Sequence, residues 1–116
     1  MRTSRLLLQD ILQSIAEVAD VTPGTLAEFE ANKLVQAHVV RYIAIIGEAA
    51  SRLPQPLRDA NPSIPWRQII DMRNILVHVY HGINWQRVYQ TAHIDVPALK
   101  TQIEAILASL PPDPIP

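Results

Sequence analysis

The sequence lacks cysteine, has only three glycines, and draws 5% of its residues from the aromatic types. Without cysteine, disulfide scaffolds, thiolate zinc sites and cysteine nucleophiles are excluded. No apolar run approaches the roughly 20 residues of a membrane-spanning helix, and the apolar residues 6–8 are followed at once by Gln9 and Asp10. These features predict a soluble protein of the cytoplasm.

Neither positive nor negative charge is in large excess. Ten basic side chains stand against eleven acidic ones, which gives a formal net charge of -1. Binding to RNA would therefore have to depend on a local basic patch rather than on the overall charge, and no membrane partner is expected.

The length of 116 residues corresponds to one ordinary domain, and 48% of the residues are hydrophobic. We expect residues 1–110 to form a single helical domain. Residues 111–116 contain Pro111, Pro112, Pro114 and Pro116 and cannot continue a helix. This segment is predicted to be a proline-rich disordered tail.

Proline-free stretches with helical periodicity occupy most of the chain. They predict helices over about 4–20, 32–53, 66–80, 85–93 and 95–110. A further short helix should start at Thr25, which has a capping-box spacing to Glu28, and Asn84 should cap the helix from Trp85. No segment alternates with period two. The predicted fold is all-α, an antiparallel bundle of four to five helices.

The second long helix is apolar on two sides. One stripe suits the core, and Val40, Ala44 and Gly47 form a second stripe of small or medium residues. A bundle of this size has little room for a fully enclosed helix. We therefore expect the second stripe to face another copy of the chain, which predicts a homodimer.

The residues most suited to chemistry lie in segment 71–82, which contains Arg73, Asn74 and His78. Arginine presents a planar, permanently charged fork to phosphate oxygens, and histidine takes or gives a proton near neutral pH. Together they could cleave RNA without a metal. Arg73 and His78 are about 140° apart in a regular helix. They converge only if the helix loosens near His78 or if a second subunit supplies one of them.

Other interpretations of these residues stay open. Arginine, asparagine and histidine near a helix end are common as capping and surface residues. His78 and His81 have a spacing that could ligate a metal, although no metal-binding motif accompanies them. Glu48 is expected to pair with an arginine such as Arg41 or Arg73, in a structural salt bridge rather than a direct catalytic role.

Arg73, His78 and Tyr80 match an Arg-x4-His-x-Tyr motif that resembles the HepT-like toxins, a branch of the HEPN superfamily. Further segments resemble the family in the same order, and together they span nearly the whole chain before the tail. These segments are 7–12, 39–50 with Ile-Gly-Glu-Ala-Ala, 64–70 with Ile-Pro-Trp, and 72–78.

The resemblance implies a HEPN-like homodimer in which Arg73 and His78 of both subunits line a cleft at the interface. It implies a metal-independent endoribonuclease without a cofactor of its own, with Asn74 at the polar position after the arginine. It also implies a partner, an MntA-like nucleotidyltransferase antitoxin that uses ATP and Mg²⁺ to transfer AMP to Tyr80. RNA-binding helpers would be Arg41, Arg67 and Arg87.

An alternative function is a non-catalytic dimeric helical partner, or substrate-binding subunit, of a nucleotidyltransferase. Both functions need Tyr80 and the dimer. Only the nuclease needs His78 as a proton carrier, so this residue distinguishes the two.

Overall fold

Helices make up most of the chain in the computed structural model, which describes residues 2–79 and 81–112. Within these ranges no strand occurs, which confirms the all-α prediction. A π-helical turn, Thr91–Asp95, joins the last two helices. The α-helices are α1 Ser4–Val21, α2 Leu26–Glu30, α3 Lys33–Arg52, α4 Gln55–Asp59, α5 Trp66–His78, α6 Trp85–Gln90 and α7 Val96–Ser109.

Side-chain caps fix where several helices begin. Thr25 Oγ1 accepts a hydrogen bond from the Glu28 backbone N–H at 3.2 Å, and the Glu28 carboxylate accepts one from the Thr25 hydroxyl at 2.9 Å. Thr25 therefore caps the helix as predicted, with the Glu28 carboxylate bound to the Thr25 hydroxyl and not to its backbone N–H as in a full capping box. Asn32 Oδ1 accepts from the Val35 N–H at 3.1 Å, and Asn84 caps α6 in the same way. The predicted starts of these helices are confirmed.

The core is formed mainly by the apolar faces of α1, α3, α5 and α7. Oε2 of Glu17, late in α1, lies 3.3 Å from Nε2 of His38, early in α3, as expected for antiparallel neighbours. Arg5, in the first turn of α1, donates hydrogen bonds to the carbonyl oxygens of Leu110 and Pro111 at the end of α7. The almost completely buried side chains include Leu8, Ile11, Val18, Phe29, Val39, Val88 and Ile103. Burying each such side chain stabilises the fold by roughly 1.5–3 kcal/mol.

The proline-rich connection after α3 contains a helix that the periodicity did not predict. In α4, Pro56 lies in the first turn, where its missing N–H removes no helical hydrogen bond. Next to it, the indole N–H of Trp66 donates to the carbonyl oxygens of Arg58 and Asn61, both at 3.1 Å. This contact fixes the start of α5 relative to α4.

The sequence predicted that one helix ends near His93 and a new one starts at Asp95 and Pro97. This prediction is wrong, because the helical structure continues through this region. The backbone N–H of Val96 bonds to the carbonyl oxygen of Thr91, five residues earlier, which is the π-helical pattern. Proline lacks an N–H, and its ring crowds the carbonyl four residues before it. The wider turn accommodates Pro97 without breaking the helix.

Pro111 and Pro112 lie beyond α7 and are exposed and non-helical. The rest of the predicted tail, 113–116, is outside the described residues. Among the described helices, none combines the length and the apolar character needed to cross a membrane.

Candidate active site

The site is built on the crossing of α3 and α5, which meet at Gly47. A Cβ atom at position 47 would overlap the Cβ of Arg73 and lie 3.0 Å from the carbonyl oxygen of Ile69. Only glycine permits this approach, so Gly47 brings the backbone of Arg73 directly against α3. The expectation that the Val40, Ala44 and Gly47 stripe faces a second subunit is therefore wrong for Gly47, which packs on its own chain. Val40 also packs against its own core.

Arg73 reaches across this crossing to Glu48. Its Nη2 lies 2.8 Å from Glu48 Oε2, and the two side chains are 28% and 38% exposed. The other carboxylate oxygen of Glu48 is 2.9 Å from Nε of Arg52, one helical turn further along α3. Each oxygen of one carboxylate thus holds one guanidinium. The expected pairing of Glu48 with Arg73 is confirmed, and Arg52 takes the position for which Arg41 was an alternative.

Asn74 completes the support of Arg73. Its Oδ1 accepts a hydrogen bond from Nη1 of Arg73 at 2.8 Å, although Asn74 itself is exposed. The guanidinium is therefore held at both terminal nitrogens, by Glu48 and by Asn74. Fixing the rotamer of a long side chain in this way lowers the entropic cost of binding an anion.

His78 is the last residue of α5 and is exposed. The helix stays regular up to it, since the Val79 N–H still bonds to the Ile75 carbonyl oxygen at 2.8 Å. The first way of bringing Arg73 and His78 together, a loosened helix, is therefore wrong. They lie on faces about 140° apart and about 7.5 Å apart along the axis. The structure does not bring them together within one chain.

The end of α5 also carries an exposed apolar patch around His78. Ile75, Val77 and Val79 are 44%, 48% and 43% exposed. Seen along the helix, Ile75 and Val79 lie near one another, Val77 lies about 160° away, and His78 lies between them. Single apolar side chains are normal on a protein surface, whereas several at one helix end can form part of a contact surface. We call Ile75, Val77 and Val79 the α5 apolar patch.

The three predicted helper arginines lie in different places. Arg41 is seven positions before Glu48 on the same face of α3, with its guanidinium carbon 5.9 Å from the centre of the Tyr42 ring. Nε of Arg67 lies 3.9 Å from Oδ2 of Asp71, which is a long distance for an ion pair. Arg67 shares the outer face of α5 with Asn74 and His78.

Arg87 is separate from this site. It lies at a cavity of about 310 Å³ between α3, α5 and the α6–α7 region, whose walls include Ile46 and Met72. Its side chain is therefore not part of the Arg73 network, by which we mean Arg73, Glu48, Asn74 and Arg52.

Two further predictions concern other chemistry. Tyr80 lies outside the described residues, two positions after the end of α5. Among residues 2–79 and 81–112, no group of three or more histidine, aspartate or glutamate side chains could hold a metal ion.

Comparison with known proteins identifies the family. A family model described as "Ribonuclease HepT-like" matches residues 11–106. The chain belongs to the HepT-like ribonuclease family. The expected endoribonuclease is thereby confirmed at the level of the family, and the Arg73 network becomes the candidate active site of a HepT-like ribonuclease.

Individual relatives cover nearly the whole chain. "Putative RNase MJ1380" of Methanocaldococcus jannaschii is 34% identical over 106 residues, which cover 90% of this chain and 97% of the relative. "Putative RNase TTE0752" of Caldanaerobacter subterraneus is 32% identical over 108 residues, with coverages of 92% and 96%. "Probable ribonuclease HepT" of Thermococcus cleftensis is 33% identical over 106 residues, with coverages of 90% and 96%. No solved structure matches the chain.

One residue of the site, Arg52, was missed in the sequence. Its signal was the i, i+4 spacing from Glu48 on a predicted helix, which is the spacing of helical ion pairs. The choice of Arg41 and Arg73 as partners for Glu48 left this neighbour out.

Proposed function

We propose that this HepT-like protein is the toxin of a toxin–antitoxin system and cleaves RNA without a metal, at a site composed of two subunits. The observation that carries the proposal is the Arg73 guanidinium, held by Glu48 and Asn74 at 2.8 Å each, within the Arg-x4-His motif of a ribonuclease family. A toxin of this kind acts on cellular RNA in the cytoplasm.

The chemistry follows from the two side chains. The neutral imidazole of His78 takes the proton of a ribose 2′-hydroxyl, and the resulting oxygen attacks the adjacent phosphorus. Arg73 stabilises the negative charge that builds up on the phosphoryl oxygens. The bond to the 5′-oxygen breaks, and that oxygen takes a proton from water, while His78 returns the proton it accepted to the solvent. The products are a 2′,3′-cyclic phosphate and a free 5′-hydroxyl.

Two observations support a homodimer. Arg73 and His78 lie on different faces of α5, so a partner subunit is needed to place the histidine of one chain beside the arginine of the other. The α5 apolar patch surrounds His78 and is exposed in the single chain. An isologous dimer would cover the patch on both subunits and form two equivalent sites.

Silencing by a nucleotidyltransferase antitoxin is part of the same proposal. The antitoxin would transfer AMP from ATP, with Mg²⁺, to the hydroxyl of Tyr80. His81, the next residue in the chain, is exposed and lies outside the α5 apolar patch, which supports access of a modifying enzyme to this end of α5. The added phosphodiester would bring bulk and negative charge beside Arg73 and His78 and compete with RNA phosphate for the arginine.

The deciding experiment compares His78→Ala with the matched control His81→Ala, which removes an exposed histidine three residues away. Purified proteins are incubated with labelled RNA, with and without EDTA. We expect the parent and His81→Ala to cleave in both conditions, and His78→Ala to lose at least about a hundredfold in rate.

Cleavage by His78→Ala at the parental rate would rule out this mechanism. Loss of the parent's activity in EDTA would rule out the metal-independent form. If the parent cleaves no RNA but still forms a dimer and binds the nucleotidyltransferase, the non-catalytic partner function is correct.

A further inference from the structure

Arg52 shares the Glu48 carboxylate with Arg73, and nothing in the motif assigns it a role. We propose that Arg52 is a second phosphate-binding residue of the active site, which contacts the phosphate next to the one that is cleaved. This inference rests on the proposed ribonuclease function and extends its binding site from one arginine to two.

The geometry places the two guanidiniums side by side. Glu48 Oε2 is 2.8 Å from Nη2 of Arg73, and Glu48 Oε1 is 2.9 Å from Nε of Arg52. One rigid carboxylate therefore sets the position of both groups. Successive phosphates of a single RNA strand are also neighbours, so a strand with one phosphate at Arg73 can place the next phosphate at Arg52.

The remaining hydrogen-bonding capacity of Arg52 favours a ligand. Only Nε is used by Glu48, and the two terminal nitrogens make no hydrogen bond to any described residue. The side chain is 63% exposed, against 28% for Arg73. Arg52 thus presents the planar end of its guanidinium to solvent, next to the more enclosed arginine.

The charge balance also favours a second arginine at this site. Arg73 and Glu48 alone sum to zero, so the carboxylate would cancel the attraction of Arg73 for a phosphate. With Arg52 the group carries one positive charge. Since the whole chain has a net charge of -1, no general field replaces this local one.

A purely structural role is the competing explanation. An exposed i, i+4 ion pair adds only slightly to the stability of a helix and has no further consequence. This role would change thermal stability slightly and leave RNA binding untouched. A phosphate contact would instead change the KM for RNA and its dependence on salt.

The test measures kcat and KM for a labelled RNA oligonucleotide over a series of salt concentrations. Arg52→Gln should raise KM about three- to tenfold with kcat little changed, and should lower the slope of log KM against log salt by about 0.7. Arg52→Lys keeps the charge and should restore most of both effects. Lys33→Gln is the control, because it removes one exposed positive charge about 28 Å away on the same helix.

If Arg52→Gln shows the same KM and salt slope as Lys33→Gln, the inference is wrong. This failure is distinguishable from failure of the proposed function. In the first case Arg73→Ala still abolishes cleavage while Arg52→Gln is neutral. In the second, Arg73→Ala and His78→Ala both cleave like the parent.

Discussion

Gly47 lies directly against the Cβ of Arg73, so that a residue without a side chain on α3 sets the position of the proposed catalytic arginine on α5. The residue that permits the close packing of α3 against α5 therefore also positions the side chain proposed to bind phosphate. The next residue on α3, Glu48, holds the far end of the same arginine. Two consecutive residues of α3 therefore fix both ends of the Arg73 side chain.

Gly47→Ala is expected to destabilise the protein and impair cleavage. Alanine is favoured over glycine in a helix by about 1 kcal/mol, but overpacking at a tight crossing costs roughly 1–3 kcal/mol. The added methyl group must displace the Cβ of Arg73 or the Ile69 backbone. Urea unfolding and the rate of RNA cleavage measure the two effects. Gly24→Ala is the control, since nothing lies within 4 Å of a Cβ there. A Gly47→Ala protein with parental stability and rate would contradict this account.

Val77→Asp is expected to separate the dimer without unfolding the subunit. Val77 is 48% exposed in the single chain, so a carboxylate there is solvated in the monomer and would be buried in the proposed dimer. Light scattering after size-exclusion chromatography should give a dimer mass for the parent and a monomer mass for the variant, which should not cleave RNA. Ile94→Asp, at a 55% exposed site on the π-helical turn, should stay dimeric. A monomeric but active parent would exclude a shared site.

Mixing two inactive variants should restore activity. In a dimer of Arg73→Ala with His78→Ala, one site lacks both groups and the other retains the arginine of one subunit and the histidine of its partner. After denaturation and refolding of equal amounts, half of the dimers are mixed, so about a quarter of the parental activity should return. The unmixed variants, refolded alone, provide the baseline. Absence of any recovery would mean that both groups act from one chain.

Tyr80→Phe should prevent modification by the nucleotidyltransferase. Incubation of the parent with the partner enzyme, ATP and Mg²⁺ should raise its mass by one or more AMP units. Tyr89→Phe serves as the control because its hydroxyl is engaged with the Pro23 carbonyl oxygen at 2.9 Å, and this variant should still be modified. A mass increase that persists in Tyr80→Phe would move the acceptor to another residue.

Much of the fold could be predicted because its signals are local. Thr25 with Glu28, Asn32 and Asn84 cap helices through hydrogen bonds that span three residues. Such contacts are visible in the sequence as spacings. The continuation through Thr91–Asp95 was not visible, because proline normally indicates a break and the wider turn that accommodates it has no sequence signature.

The candidate site was predictable in its residues but not in its partners. Arg73 and Glu48 could be paired by charge alone, whereas Arg52 was missed although it lies at the i, i+4 spacing of a helical ion pair from Glu48. The helix against which Gly47 packs could not be predicted either. A small residue indicates that another helix approaches, but not whether that helix belongs to the same chain or to a neighbour.

The hydrogen bonds from Arg5 to the carbonyl oxygens of Leu110 and Pro111 bring both described ends of the polypeptide to the same end of the bundle. A short covalent linker could therefore join them, and new termini could be opened in the exposed connection around Gly24. Such a circularly permuted chain would keep α2 to α7 in their present order, with α3 and α5 intact, and would move only α1 to the other end of the sequence.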